Sequence, residues 1–362
     1  MTDKMLIDGN EAICRGAIAA GCRYFFGYPI TPQNEIPEYM ARELPKLGGV
    51  FVQTEDELSA INMVYGAAAA GARVMTSSSS LGISLMGETL SHMYTTETPA
   101  VVVDVVRLGP GSGTIGTGQT DYLQATKAGG HGGYHNIVLA PASPQDCFDY
   151  MQLGFYLADK YRMVTLVLSD FIVGRMAQPV ELKTLELGPL PAKDWALTGT
   201  AAKGGKRNIV SSGHRLAFEL YGMGIPEFFK HFQEKHRQLA EAETRFTTYL
   251  AEDAKLLLVA YGSSARIAET AVDLARDEGL KVGIFRPITL WPFPKRALQE
   301  LALKAGKVLV VEDSGGQLVE DVECIVQGKV PVHLLGIWGR RDSSPTSMIH
   351  PERVLQEVKN LL

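Results

Sequence analysis

"TEDELSAINMVYGAAAAGARVMTSSSS", residues 54–80, contains a helix pattern followed at once by a strand pattern. Apolar side chains recur at helical spacing up to Gly71, and a glycine there is a typical helix end. Residues 72–78 then form a short run of the kind found in buried strands, and serines follow it. A helix that leads directly into a strand is the repeating unit of a wound α/β fold.

The same alternation continues on both sides of this stretch and predicts a first α/β unit over residues 1–185. Its further strands are predicted at "RYFFG" (23–27), "GGVFVQ" (48–53), "AVVVDVV" (100–106) and "MVTLVLSD" (163–170). Its further helices are predicted over residues 11–21, 31–44, 83–96 and 143–161, where apolar residues recur at helical spacing.

A second α/β unit is predicted over residues 254–362, with strands at "KLLLVAYG", "LKVGIFRP", "KVLVVED" and "VPVHLLGI". Residues 186–253 separate the two units. Their first part is rich in Gly, Pro and Lys without a period, which indicates a linker, and residues 225–254 form one long helical stretch. The predicted fold class is therefore α/β, with two wound domains joined by a partly helical linker.

The composition excludes several classes of protein. With 362 residues, 46% of them hydrophobic, and a net charge of -5, the chain has no electrostatic reason to bind nucleic acid or an anionic membrane surface. It contains no apolar run long enough for a membrane span and no signal peptide, so a cytoplasmic protein is expected. Its four cysteines lack paired spacing, which argues against a zinc or iron–sulfur site held by this chain alone.

The loop "RLGPGSGTIGTGQTD", residues 107–121, follows a buried strand and matches G-x-G-x-x-G at Gly111, Gly113 and Gly116. One interpretation is a dinucleotide site, but that fingerprint needs a helix starting at the third glycine. The favoured interpretation is a mobile active-site segment at the carboxyl end of a strand. Arg107 at its start suits a substrate carboxylate, although a surface arginine is the simpler alternative.

Four polar residues near predicted helix starts have a local explanation. Thr54 and Glu57 have the spacing of a capping box, and Thr31 precedes Pro32 as an N-cap would. Asn10 has the same pattern before the first helix. Each of these residues is therefore structural if the local pattern alone determines its role.

Serines 78–80 and the pair His131 and His135 also have a simple explanation. The serines suit a solvated turn whose hydroxyls bond to local backbone. The histidines are four residues apart, as in some metal sites, but "GG" between them breaks any helix, so no metal site is predicted.

Three segments together resemble the 2-oxoacid:ferredoxin oxidoreductases, which are thiamine diphosphate enzymes. They are "GYPITPQNEIPEYM" (27–40), residues 54–86 and "VRLGPGSGTIGTGQTDYLQA" (106–125), and they occur in the family's order. The tail segments "FRPITLWPFP" (285–294) and "VVEDSGGQLVEDV" (310–322) resemble the family's transketolase C-terminal-like domain. The match is to the alpha-type subunit with its pyrimidine-binding domain. "SSSSLGISLM" and "ATKAGGHGGYH" are closer to the 2-oxoisovalerate branch than to the 2-oxoglutarate branch.

The resemblance implies roles for individual residues. Glu57, with Glu55 as the fallback, matches the glutamate that bonds the cofactor's aminopyrimidine and thereby promotes loss of the thiazolium proton. Arg107 matches the arginine that receives the substrate carboxylate, and Thr31 matches a threonine that faces substrate and thiazolium. The resemblance places four further residues at the cofactor: Tyr28, Pro29, Ile30 and Ser79.

The resemblance also implies partners, because no "GDG" segment for the diphosphate and Mg²⁺ occurs in the chain. A beta-type subunit is expected to supply that site and a [4Fe-4S] cluster, with gamma and delta type subunits completing the complex. The expected reaction is oxidative decarboxylation of a branched-chain 2-oxo acid with coenzyme A, with ferredoxin as electron acceptor. The alternatives are 2-oxoglutarate or an aryl 2-oxo acid as substrate, or a non-oxidative thiamine diphosphate enzyme.

Overall fold

A computed structural model describes residues 4–127, 129–199, 224–337 and 348–362 of the chain. In the first half the strands are β1 Lys4–Asp8, β2 Tyr24–Gly27, β3 Val50–Gln53, β4 Val74–Ser78, β5 Ala100–Val106, β6 Ile137–Leu139, β7 Val164–Asp170 and β8 Ala177–Glu181. The helices there are α1 Gly9–Ala19, α2 Glu35–Glu43, α3 Glu57–Ala69, α4 Leu81–Thr95, α5 Tyr122–Thr126, α6 Pro144–Tyr161 and α7 Phe171–Arg175, with a 3-10 turn at Pro45–Leu47.

The second half begins with a long helix and continues as a second α/β unit. Its strands are β9 Phe246–Tyr249, β10 Leu256–Val259, β11 Val282–Pro287, β12 Thr289–Trp291, β13 Val308–Val311 and β14 Val332–Leu335. Its helices are α8 Ile225–Ala242, α9 Gly262–Asp277, α10 Lys295–Ala305, α11 Leu318–Val326 and α12 Pro351–Leu361.

The strands form two mainly parallel sheets, which confirms the predicted α/β class. The larger sheet has the order β12-β6-β7-β5-β4-β2-β3, and β12 alone pairs antiparallel, with β6. The smaller sheet has the order β14-β13-β10-β11-β9, with β9 antiparallel to β11. A separate ribbon pairs β1 with β8.

Backbone hydrogen bonds cross the boundary that the sequence predicted between the two units. Strand β12 lies in the second half of the chain but completes the sheet of the first half. The helix expected over residues 225–254 ends at Ala242, and β9 forms an edge strand of the second sheet instead. Prediction of a helix through residues 246–249 was therefore wrong.

Three predicted helix caps were also wrong. Helix α1 begins at Gly9 and is capped by Asp8, whose carboxylate accepts from Glu11 N, while Asn10 is buried inside the helix. Helix α2 begins at Glu35, so Thr31 lies too far upstream to cap it. Helix α3 is capped by Asp56, since its Oδ1 accepts from Ser59 N at 2.7 Å.

The larger sheet has a topological switch point, named the crevice here, where neighbouring strands send their loops to opposite faces. Helix α2, after β2, packs with α1 on one face, whereas α4, after β4, packs with α3 on the other. Since β2 and β4 are neighbours, their loops diverge at the carboxyl ends of the strands. Open α/β sheets place their ligands at such a point.

Candidate active site

Glu57 is the first residue of α3 and lies beside the end of β4. Because Asp56 caps the helix, the Glu57 carboxylate is free for another role, yet the residue is only 6% exposed. Ser78 Oγ donates to Glu57 Oε1 at 3.5 Å. A Cβ at Gly82 would lie 2.6 Å from the same Oε1 and 2.0 Å from Ser78 Oγ, so only glycine leaves room there.

Thr31 and Arg107 meet although they follow strands that are not neighbours. The Arg107 Nη1 group donates to the Thr31 carbonyl at 3.0 Å. Arg107 Nε is buried without a hydrogen-bond partner among the described residues. The Thr31 hydroxyl accepts from Asn34 Nδ2 at 3.3 Å, which leaves its own proton free to donate elsewhere.

The segment Tyr28–Thr31 leaves β2 and is tied to the end of β4 by Gln33. Gln33 Nε2 donates to the Tyr28 carbonyl at 3.4 Å, and Gln33 Oε1 accepts from Ser77 Oγ at 2.6 Å. Tyr28 and Pro29 are exposed at the crevice, and Ile30 is half-buried. This tie fixes the spacing between the Tyr28–Thr31 segment and β4.

Two serines complete the crevice. The Ser79 hydroxyl is buried and has no partner among the described residues. Ser80 has a φ of 42°, a conformation rarely adopted by residues other than glycine, and its backbone N donates to Asp104 Oδ1 at 3.0 Å. The Ser80 hydroxyl lies 3.3 Å from both the backbone N and the backbone O of Arg107.

Two family models together cover most of the chain. The model described as pyruvate flavodoxin/ferredoxin oxidoreductase, thiamine diphosphate binding, matches residues 15–245, which is more than half of the chain. The model described as pyruvate:ferredoxin oxidoreductase core domain II matches residues 254–348. This chain belongs to the 2-oxoacid:ferredoxin oxidoreductase family. The resemblance that the sequence motifs indicated is thereby confirmed.

Named relatives within the family extend over nearly the full chain. The ketoisovalerate oxidoreductase subunit VorB of Methanothermobacter thermautotrophicus is 47% identical over 98% of this chain and 97% of its own length. The 2-oxoglutarate synthase subunit KorA of Archaeoglobus fulgidus is 38% identical over 99% of both chains.

Two solved structures have a similar fold. A 2-oxoglutarate:ferredoxin oxidoreductase from Magnetococcus marinus, with 2-oxoglutarate, coenzyme A and succinyl-CoA bound, superposes with a TM-score of 0.82 at 27% identity. The match covers 99% of this chain and 65% of that one. A split-gene transketolase shares the fold, with a TM-score of 0.60 at 13% identity over 98% of this chain and 97% of that one.

In this family member the glycine loop folds on itself. Thr114 N donates to the Leu108 carbonyl at 2.9 Å, and Leu108 N donates to the Gly116 carbonyl at 3.2 Å. Gly113 has a φ of 66°, and a Cβ there would lie 2.0 Å from Leu108 O. The next helix starts only at Tyr122, so no helix N-terminus faces the third glycine as a dinucleotide site requires.

The two histidines singled out by spacing lie apart from the crevice. His131 packs edge-on against His92 at 6.2 Å between ring centroids, and His135 stacks on Trp291 at 4.7 Å. No group of three or more metal-ligating side chains is found among the described residues.

The sequence analysis did not identify three polar residues of the site. Only one of them stands out in the sequence as a functional candidate. Asp104 interrupts the apolar run of β5, and a carboxylate in a buried strand demands a specific partner. Gln33 and Gln119 gave no comparable signal. Gln33 ties two loops of the crevice together, and Gln119 holds the end of the glycine loop.

Proposed function

We propose that this chain is the alpha-type subunit of an enzyme that oxidatively decarboxylates a 2-oxo acid with coenzyme A and passes the electrons to ferredoxin. The observation that carries this proposal is the placement of Glu57. Its carboxylate is buried at the crevice next to Ser78 and Gly82, and it does not cap its own helix.

The residues of the crevice fit the aminopyrimidine of thiamine diphosphate. That ring presents nitrogen atoms that need an anionic acceptor and hydroxyl partners, and Glu57 and the unpartnered Ser79 hydroxyl supply both. Gly82 lets Glu57 and Ser78 approach its backbone, because a Cβ there would lie 2.6 Å from Glu57 Oε1 and 2.0 Å from Ser78 Oγ. When bound, thiamine diphosphate supplies a nucleophilic carbon and an electron sink.

Each residue of this chain then has a defined task. Glu57 holds a proton at a ring nitrogen of the pyrimidine, as a buried carboxylate beside a basic nitrogen can. Arg107 binds the carboxylate of the 2-oxo acid, and the free proton of the Thr31 hydroxyl is directed toward the reacting carbonyl. The segment at 28–30 and Ser79 line the cofactor.

The proposed substrate is a branched-chain 2-oxo acid. The relatives named ketoisovalerate oxidoreductase are 47% identical, whereas those named 2-oxoglutarate synthase are 36–38% identical. Ile115, an apolar residue of the glycine loop, is 69% exposed. Together with Thr31 it lines a cavity of about 170 Å³. An apolar side chain at this position suits an alkyl substituent better than a second carboxylate.

A beta-type subunit is proposed to cover the crevice. Apolar side chains lie exposed around Glu57 and Thr31, where a partner would bury them: Tyr28, Leu58, Leu81, Leu85 and Ile115. This partner is proposed to hold the diphosphate, Mg²⁺ and a [4Fe-4S] cluster, and gamma and delta type subunits to complete the complex. The proposed location is the cytoplasm. Within the described residues, no helix is long and apolar enough to cross a membrane.

Reconstitution tests the function. The chain is purified with its co-expressed partner subunits and assayed with 3-methyl-2-oxobutanoate, 2-oxoglutarate and phenylpyruvate, with ferredoxin reduction as readout. We expect turnover that requires coenzyme A, thiamine diphosphate and the partner chains, with the branched-chain acid preferred. Turnover that proceeds without coenzyme A and without an electron acceptor would contradict the proposal and indicate a non-oxidative thiamine enzyme.

A further inference from the structure

Two buried carboxyl groups lie behind the crevice, outside the roles described above. Asp104, in β5, is 1% exposed, and Asp121, at the end of the glycine loop, is 9% exposed. The two carboxyl groups face each other, and Asp121 Oδ2 is buried without a hydrogen-bond partner among the described residues. Among the described residues no basic side chain pairs with either of them, and their other partners are Ser80 and Thr120.

Burial, without a compensating cation, makes two negative charges at this place unfavourable. It raises the pKa of Asp104 well above its ordinary value, with the neighbouring Asp121 adding to the effect, and burial raises the pKa of Asp121 as well. A buried carboxyl pair of this kind favours a state in which its members share one proton.

The pair is connected to Arg107 through Ser80. Asp104 accepts from the backbone N of Ser80, and this bond holds a serine whose φ of 42° is unfavourable. The Ser80 hydroxyl in turn bonds the backbone of Arg107, and the Arg107 guanidinium reaches Thr31. The Asp104 carboxyl therefore sets the backbone from which the Arg107 side chain extends.

We propose that Asp104 and Asp121 form a proton-sharing pair that positions Arg107 for the carboxylate of the 2-oxo acid. This rests on the proposed function, since Arg107 is the carboxylate-binding residue there. Loss of the shared proton leaves two facing carboxylates, which repel each other and loosen Ser80 and Arg107. Substrate binding thus weakens at alkaline pH, while the chemical steps after binding are unaffected.

Further titratable groups lie near the pair. Tyr261 of the second unit faces Asp121, which contributes to the raised pKa of that tyrosine. Around Tyr261 lie Asp170, Glu312 and Asp313, all acidic. None of these groups brings a positive charge toward the pair.

Steady-state kinetics of the assembled complex test the proposal between about pH 6 and pH 9. Asp121→Asn replaces the shared proton by an amide hydrogen that cannot be lost. We expect the KM of wild type for the 2-oxo acid to rise about tenfold toward alkaline pH at constant kcat. The KM of Asp121→Asn is expected to stay flat. Identical KM profiles for the two proteins, or a variant KM raised equally at every pH, would overturn the proposal.

Infrared spectroscopy of the complex with ¹³C-labelled aspartate gives a second readout. We expect wild type to show the carbonyl band of a buried protonated carboxyl near neutral pH, and this band to disappear in Asp121→Asn. Its absence from wild type would refute the shared proton even if the variant fails to fold. A wild-type complex without 2-oxo acid turnover would instead contradict the proposed function, and the infrared result would still decide whether the pair holds a proton.

Discussion

Gln119 and Asp313 hold each other by two hydrogen bonds across the boundary between the two α/β units. Gln119 N donates to the Asp313 carbonyl at 2.7 Å, and Asp313 N donates to Gln119 Oε1 at 3.0 Å. The amide side chain also donates to the Tyr261 carbonyl at 2.9 Å and accepts from Ser264 Oγ at 2.8 Å. The end of the glycine loop is thus fixed by the second unit, although Arg107 at its beginning belongs to the first.

Replacement of this amide is predicted to weaken the contact between the units. Gln119→Ala leaves the buried Asp313 N–H and Tyr261 carbonyl without these partners, so we expect a loss of about 2 kcal/mol or more in the free energy of unfolding. Urea denaturation measures it. The exposed Gln356→Ala in α12 is the control, with an expected change within about 0.5 kcal/mol. Equal stabilities of the two variants would contradict the prediction.

Glu57→Gln is predicted to abolish most turnover without unfolding the chain. The amide keeps the size of the side chain but cannot hold the pyrimidine proton, so kcat of the complex should fall by about two to four orders of magnitude. The matched control is Glu55→Gln, because Glu55 is exposed two residues away. Should Glu55→Gln lose the activity and Glu57→Gln retain it, the role passes to Glu55.

Arg107→Met is predicted to affect substrate binding more than the chemistry. The substitution keeps an unbranched side chain but removes the charged donors, which contribute about 1.5–3 kcal/mol to a carboxylate, or about a 10- to 100-fold rise in KM. Steady-state kinetics with the 2-oxo acid measure it. Arg296→Met, at a side chain 93% exposed, serves as control. An unchanged KM in Arg107→Met would remove Arg107 from the substrate site.

The sequence alone was sufficient to predict the elements whose side chains are buried on every side. Strands β5 and β7 are buried along their whole length, and a continuous apolar run marks such strands clearly. Strand β9 was missed because its side chains are exposed and it pairs only along one edge, with β11. Strand β12 has three residues, and its partner β6 lies about 150 positions earlier in the chain, so no local pattern indicates it.

The sequence indicated which residues belong to the site, but not which of them contact each other. Thr54 and Asp56 are both suitable caps, and which one acts depends on a difference of one or two residues in the helix start. The Thr31 and Arg107 contact joins loops after β2 and β5, which β4 separates in the sheet. Such a contact follows from strand order, and strand order is a property of the folded sheet.

His236 is predicted to contribute a loss of stability in mild acid. Burial lowers the pKa of His236 to about 4, with His135 and Lys235 contributing, whereas an unfolded histidine titrates near about 6.5. Between these values the unfolded chain binds a proton that the folded chain rejects, so the free energy of unfolding decreases as the pH falls through this window. Urea midpoints of wild type and His236→Gln at several pH values measure the effect.

The difference in stability between wild type and His236→Gln separates the effect of His236 from that of an acidic group with the opposite pH dependence. Burial raises the pKa of Asp313 to about 6, so that carboxyl favours the folded state more as the pH falls between about 4 and 6. Asp313 is present in both proteins, and its contribution therefore cancels in the difference. We expect a shallower acid loss in His236→Gln, and parallel curves would rule out His236 as the source.

Gly82→Ala is predicted to disrupt the crevice while the matched Gly66→Ala does not. A Cβ at Gly82 would lie 2.0 Å from Ser78 Oγ and 2.6 Å from Glu57 Oε1, so both side chains must move, at a cost of about 1–3 kcal/mol. Gly66 lies exposed in α3, and a methyl group added there would meet no neighbouring atom within 4 Å, so alanine is expected to raise helix stability by up to about 1 kcal/mol. Denaturation of both variants, with turnover of their complexes, separates the effects. If Gly82→Ala matched wild type in turnover, the crevice beside Glu57 would not be the reaction site.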